Sequence, residues 1–209
     1  MKGDENEMTR TRSAEELAVP LGSVNTARLV FARGAAHLTI RVDGSMEDLY
    51  RAWFEGKVPD IRVDEGTVSV KYRPSLRPTR GEITLSSRIP WAIQARWGMS
   101  DVEADLEDLE LTGLEISGGA SRIEAHLPRP KDAVPIRIGG GASDVELIRP
   151  TGVPVRVRIG AGASKLVVDD FRLGAAGGKT DWRSPDYDEI EGRYDIEIGA
   201  GASKLTVRT

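Results

Sequence analysis

Two stretches of this 209-residue chain have the residue types of a phosphate cradle. One is IGAGASKL, written identically at 159–166 and 198–205; the other is GAAGGKT at 174–180. Glycine-rich turns hold phosphate when their backbone N–H groups converge at a helix start and a lysine reaches the phosphate oxygens. GAAGGKT has the right tail, but Leu173 stands where the motif needs its first glycine, and Pro185 with a turn-rich run occupies the place of the helix. IGAGASKL lacks the Gly-Lys-Ser/Thr tail altogether. Only two histidines are present, His37 and His126, in neither an HxH nor an HExxH pattern, so a zinc site is not expected. The absence of cysteine excludes thiol catalysis, disulfides and cysteine metal sites. Nothing singles out two acids from the 33 Asp and Glu as a hydrolytic pair. No catalytic, cofactor-binding or metal-ligating residue is assigned, and the expectation is a protein without enzymatic activity or cofactor.

The same octapeptide makes better sense as architecture. Clear copies of its surroundings are LEISGGASRIEA (114–125), IRIGGGASDVEL (136–147), VRIGAGASKLVV (157–168) and IEIGAGASKLTV (196–207), with degenerate copies at 29–40 and 93–104. Each reads as alternating apolar residues, a small-residue corner, then Ser or Ala and a second alternation. Period two is a strand signal. A unit of about 21 residues cannot bury its apolar face alone, whereas stacked units can. The expected fold is all-β: a single-chain parallel β-solenoid with ~21-residue coils spaced by the inter-strand distance. Gly119, Gly141, Gly162 and Gly201 are expected to turn the corners by adopting positive φ. Ser121, Ser143, Ser164 and Ser203 are expected to ladder beside them.

Stacking in chain order would align Asp101, Arg122, Asp144 and Lys165 in an outward column of alternating charge. The next column, Glu103, Glu124 and Glu146, is an acidic stripe. It reads either as a solvated face offset by Arg137, Arg156 and Arg158, or as an oxygen-rich cation site.

The repeated GGAS/GAGAS corners and the run RPTGVPVRVRIGAGASKL resemble the bacterial toast-rack and "putative adhesin" group of β-solenoid domains, which also occur in cell-wall-active-antibiotic response proteins. The likeness covers 93–209 well and the first third loosely, with a more distant architectural similarity to bactofilins. It implies a right-handed solenoid used as a scaffold, with no catalytic residues to carry over.

Around the repeats, residues 1–12 read as a disordered tail, 13–92 as N-terminal coils with a helical arm, and 93–209 as regular coils with an insertion at about 172–193. The arm is a short α-helix near 45–56, with Ser45 as N-cap, Gly56 at its end and Leu49, Tyr50, Trp53 and Phe54 as its apolar stripe. RSAEELAVP could form a helical turn, 61–74 a hairpin or corner with Val68 and Val70 inward, and 73–81 a Pro/Arg loop. A net charge of −4 gives no basic field for nucleic acid, and no stretch approaches the ~18 apolar residues of a membrane span. Without a visible signal peptide, a cytoplasmic protein is expected.

Function is therefore expected from surfaces. The last strand has no sequence after it to cover it. The first expectation is a scaffold that self-associates, or meets a protein partner, through the C-terminal coil at Leu205 and Val207. Trp182, Tyr187 and Tyr194 in the insertion are further contact candidates. The alternative is a peptide- or carbohydrate-binding platform built on Trp53 and Phe54 with Tyr50, Trp91 and Trp97. A carbohydrate-active enzyme is the weakest reading.

Overall fold

The computed structural model describes residues 16–72 and 80–209; the tail at 1–12 and most of the Pro/Arg loop lie outside them. Among the described residues there are 19 strands and no helix. In chain order, β1 (Glu16–Pro20) precedes a first coil, β2 (Ala27–Phe31) with β3 (Ala35–Asp43). Then come β4 (Asp48–Glu55), β5 (Asp60–Asp64) and a second coil, β6 (Thr67–Lys71) with β7 (Arg80–Ser86). Three uninterrupted coils follow: β8 (Trp91–Ala95) with β9 (Met99–Asp105), β10 (Leu111–Ile116) with β11 (Ala120–His126), and β12 (Ala133–Ile138) with β13 (Ala142–Ile148). The chain continues through β14 (Val155–Ile159), β15 (Ala163–Val168), β16 (Phe171–Ala176), β17 (Thr180–Arg183), β18 (Arg193–Ile198) and β19 (Ala202–Arg208).

These strands make two facing sheets, of ten and nine strands, whose inward residues form one continuous core. Strand alternation places Leu29, Phe31, Ile93, Ile136, Val157, Ile196, Leu38, Val145, Leu166 and Leu205 inside, as the repeat demands. A third, irregular side is closed by Ile89, Leu106, Leu109, Leu127 and Val153, all buried. Each such aliphatic side chain contributes roughly 1.5–3 kcal/mol of burial. The all-β solenoid expected from the repeat is the fold observed.

The order of the coils in space differs from their order in the chain. β18 pairs in parallel with both β12 and β14, and β19 with both β13 and β15. The coil written last is thus inserted between the coils at 133–148 and 155–168. The chain leaves a slot beyond β12 and β13, builds the next coil, and reverses through the Asp169–Asp170 turn. It then caps the end with β16 and β17, which run antiparallel to β15 and β14, and returns to fill the slot. The other end is built similarly. The β6–β7 coil lies outside the β2–β3 coil, and is itself capped by β5 and β4 in antiparallel pairing, with β1 beyond β4.

This arrangement corrects the expectation of an open C-terminal edge. Leu205 and Val207 are buried, and β19 has a neighbour on each side. The insertion supplies the terminal cap, where Phe171 and Trp182 stack with ring centroids 5.9 Å apart.

The expected helix at 45–56 is strand β4. Tyr50, Ala52 and Phe54 are buried while Arg51, Trp53 and Glu55 are exposed, a period-two pattern that strand pairing selects over the helical one. Ser45 is not an N-cap: its N–H and Oγ–H both donate to Asp43 Oδ1, at 2.7 and 2.6 Å, closing a turn. Residues 16–20 likewise form β1 rather than a helical turn. Of the two readings of 61–74, hairpin or corner, the hairpin is observed: β5 and β6 are joined through Glu65 and Gly66, both at positive φ.

The corner glycines also work differently from expectation. Gly119, Gly141, Gly162 and Gly201 are not among the glycines at positive φ. They are needed because coils approach closely: a Cβ on Gly201 would stand 3.0 Å from Gly162 O, and one on Gly199 2.4 Å from Gly139 O. The same approach lets Ala120, Ala142 and Ala202 N–H donate to the carbonyls of Gly141, Gly201 and Gly162 at 2.9–3.0 Å. The left-handed residue is instead the polar one after the serine, or after Ala36 in the first copy: His37, Asp101, Arg122, Asp144, Lys165 and Lys204 all have φ of 50–56°.

Candidate functional site

The left-handed kink after each serine throws that side chain outward, so one coil's charge meets the next. His37 Nδ1 lies 3.9 Å from Asp101, Arg122 Nε 2.5 Å from Asp101, and Lys204 Nζ 2.6 Å from Asp144. The alternating column expected from sequence exists, with Lys204 in the place expected for Lys165. The Arg122 guanidinium, hydrogen-bonded to Asp101, holds its carboxyl below the usual range, with His37 adding to the effect. Ser121, Ser143, Ser203 and Ser164 align in register beside this column.

Two residues further along each strand, a second row crosses the ten-stranded sheet. Register places Trp53, Glu82, Thr39, Glu103, Glu124 and Glu146 side by side on six successive strands. With the charge column, this row lines a groove of about 660 Å³ on the outer face. Trp53 is 40% exposed at its end. Three of the four glutamates meet basic side chains of their own face. Arg41 is 3.4 Å from Glu82, His126 Nε2 3.3 Å from Glu124, and Arg208 2.5 Å from Glu146. Glu103 has no ion-pair partner among the described residues.

The stripe is therefore offset locally rather than by Arg137, Arg156 and Arg158. Those three face outward on the other sheet, where Arg156 binds Asp181 at 2.6 Å and Arg158 binds Asp195 at 3.0 Å. Among the described residues no group of three or more His, Asp or Glu is placed to hold a metal ion.

The aromatic cluster expected in the first half is divided by the sheets. Trp53 and Trp97 are exposed, the latter at 67%, whereas Phe54, Tyr50 and Trp91 are core residues. Trp91 Nε1–H donates to Ser86 O at 2.8 Å inside that core. Of the insertion residues, Tyr194 is fully buried with its hydroxyl donating to Pro128 O at 2.7 Å. Tyr187 is buried under Arg193, and Trp182 is half-buried in the cap. GAAGGKT is the end of β16, a turn at Gly177–Gly178 and the start of β17, with no helix behind it.

Glu82 belongs to the row but was not legible as a member, because the β6–β7 coil stacks out of chain order; Thr39 occupies the place of Glu103 in the copy at 29–40 but carries no charge to mark it. Strand parity through 48–55 was the signal that would have separated exposed Trp53 from buried Phe54.

The model of one protein family, the N-terminal domain of toast_rack, matches residues 9–148. Its coverage thus includes the first third, where the resemblance of the corners is loose. No curated protein matches the chain. A crystal structure described as "a putative cell adhesion protein from Clostridium sporogenes" superposes with a TM-score of 0.66 at 21% identity, over 94% of this chain and 100% of that one.

Proposed function

The chain belongs to the family of the toast_rack N-terminal domain, and on that footing we propose that it is a non-enzymatic β-solenoid scaffold that captures a protein partner on the outer face of its ten-stranded sheet. The observation that carries this reading is the row from Trp53 through Glu82, Thr39, Glu103 and Glu124 to Glu146. Five inter-strand steps of ~4.8 Å make it roughly 24 Å long, the reach of about seven extended residues. An exposed indole at one end is an aromatic anchor, and the acidic row beside it favours a segment bearing Lys or Arg. The solved structure named for cell adhesion points toward interaction as well. Self-association through the last coil lacks the free edge that motivated it.

The test is titration of the full chain with Lys/Arg-rich extended peptides by calorimetry, comparing wild type with Trp53→Ala and Glu103→Lys/Glu124→Lys. Binding that weakens at least tenfold in both variants, with melting temperatures within a few degrees of wild type, supports the proposal. Basic peptides that bind none of the three proteins, or all equally, overturn it.

A further inference from the structure

At the C-terminal cap, a cleft of about 670 Å³ opens where the turns at 150–154 and 169–170 meet the connection after β17. It is remote in sequence from the groove at Trp53, and it includes Trp182, one of the contact candidates of the insertion. Arg149 lines it, 5% exposed. Its Nη2 donates to Asp169 Oδ2, but Nε and Nη1 are buried and meet no acceptor among the described residues. Buried polar groups are rarely left so, because an unmet donor out of water carries its full desolvation cost. The other cation on the cleft, Arg208, is held by Glu146. Asp170 and Asp186 also line the cleft and form no ion pair among the described residues. The stacked Phe171 and Trp182 supply an aromatic wall.

Three demands follow. The floor needs an acceptor, the rim needs donors, and the wall needs a flat apolar face. Nε and Nη1 have no solvent-accessible surface, so a ligand meets them only when the turns over Arg149 give way, a shift that a single hydroxyl oxygen requires less of than a tetrahedral anion. Uncompensated carboxylates on Asp170 and Asp186 oppose an anion further. Hydroxyls both donate and accept, and a sugar ring presents a C–H face to an aromatic surface. A volume of this size is that of a small-molecule cleft. We propose that this cleft is a binding site for a short, neutral saccharide, with Arg149 donating from the floor, Asp170 and Asp186 accepting at the rim, and Trp182 against the ring.

The test uses the full chain titrated with chitobiose, cellobiose, maltose and mannobiose, with inorganic phosphate and galacturonic acid as anionic arms. Tryptophan fluorescence and saturation-transfer NMR report binding. The expected result is that at least one neutral disaccharide binds, that Trp182→Phe removes the fluorescence change, and that Asp186→Asn weakens binding tenfold or more. Trp53→Ala should leave it unchanged, which separates this site from the sheet-face groove. Arg149→Met should also abolish binding; if it does not fold, the Asp170→Asn and Asp186→Asn variants decide alone. Failure of all four disaccharides overturns the proposal. So does capture of only the anions, or saccharide binding that survives Asp186→Asn, Asp170→Asn and Trp182→Phe.

Discussion

Lys204 Nζ lies 2.6 Å from Asp144 Oδ1, a contact that stacking in chain order would have given to Lys165. The two lysines occupy the same place in identical octapeptides, and the inserted coil brings the later one to Asp144. Everything beyond β13 on that sheet, β15 and β16 included, is joined to the rest of it through β19.

Loosening the last coil should therefore release its neighbours together. Leu205→Ala removes a buried side chain whose loss costs about 2–5 kcal/mol. In hydrogen-exchange mass spectrometry, the amides of 155–168 should lose protection together with those of 193–208, while those of 111–126 keep theirs. Retained protection over 155–168 in the variant would contradict the shared dependence.

Glycine substitutions separate coil packing from turn geometry. Gly199→Ala sets a methyl 2.4 Å from Gly139 O, and Gly160→Ala one 2.2 Å from Gly199 O. Each should lower the unfolding free energy by about 1–3 kcal/mol, measured by urea denaturation. Gly174 meets nothing within 4 Å of a built Cβ. Gly174→Ala should be neutral or stabilising by up to about 1 kcal/mol.

The residue after each serine tests backbone strain. Lys204 has φ of 55°, and its ion pair with Asp144 is largely solvated, worth about 0–1 kcal/mol. Lys204→Asn, which tolerates this conformation, should leave stability within about 1 kcal/mol of wild type. Lys204→Val should cost about 1–2 kcal/mol beyond that. Equal urea midpoints for the two variants would show that charge, not backbone, is what matters there.

Stability should fall at both extremes of pH. Hydrogen bonds from Arg122 and Arg156 hold Asp101 and Asp181 below the ordinary carboxylate value of 3.8. Their contribution is present above that value and disappears as the pH falls through the lower folded-state values. Asp181→Asn should flatten part of the acid limb. Burial pushes the Tyr72 and Tyr194 hydroxyls above the ordinary value of 10.0, so the unfolded chain ionises first and stability drops as the pH rises beyond it. Phenolate absorbance should show these two tyrosines titrating only with unfolding.

Much of the fold is written in the repeat. Strand parity around Gly98, Gly119, Gly141, Gly162 and Gly201 places the inward residues correctly, and the charge column follows from it. Coil order is not written there. Asp144 can be satisfied by Lys165 or by Lys204, since both are preceded by Gly-Ala-Ser and followed by Leu. Only long-range pairing chooses between them. The supposed helix at 45–56 failed because Leu49, Trp53 and Phe54 suit a helical stripe as well as a strand, and the neighbouring β7 decided. The sheet-face row was half legible: Glu103, Glu124 and Glu146 sit in consecutive coils, while Glu82 joins from a coil out of sequence. The unmet donors of Arg149 had no local signature, because burial of a guanidinium depends on the turns folded over it.

The inserted coil also bears on how the molecule is made. During synthesis, the coils from 91 to 148 can stack as they emerge, but the outer edges of β12 and β13 have no lasting neighbour until residues 193–208 have left the ribosome. Nascent chains that stall earlier carry an exposed apolar slot beside a finished solenoid. Residues 155–168, whose corner has the same letters, are the nearest segment able to fill it wrongly. The place between β13 and β15 thus belongs to the later of two coils with the same corner, and the native order requires that the earlier one leave it open.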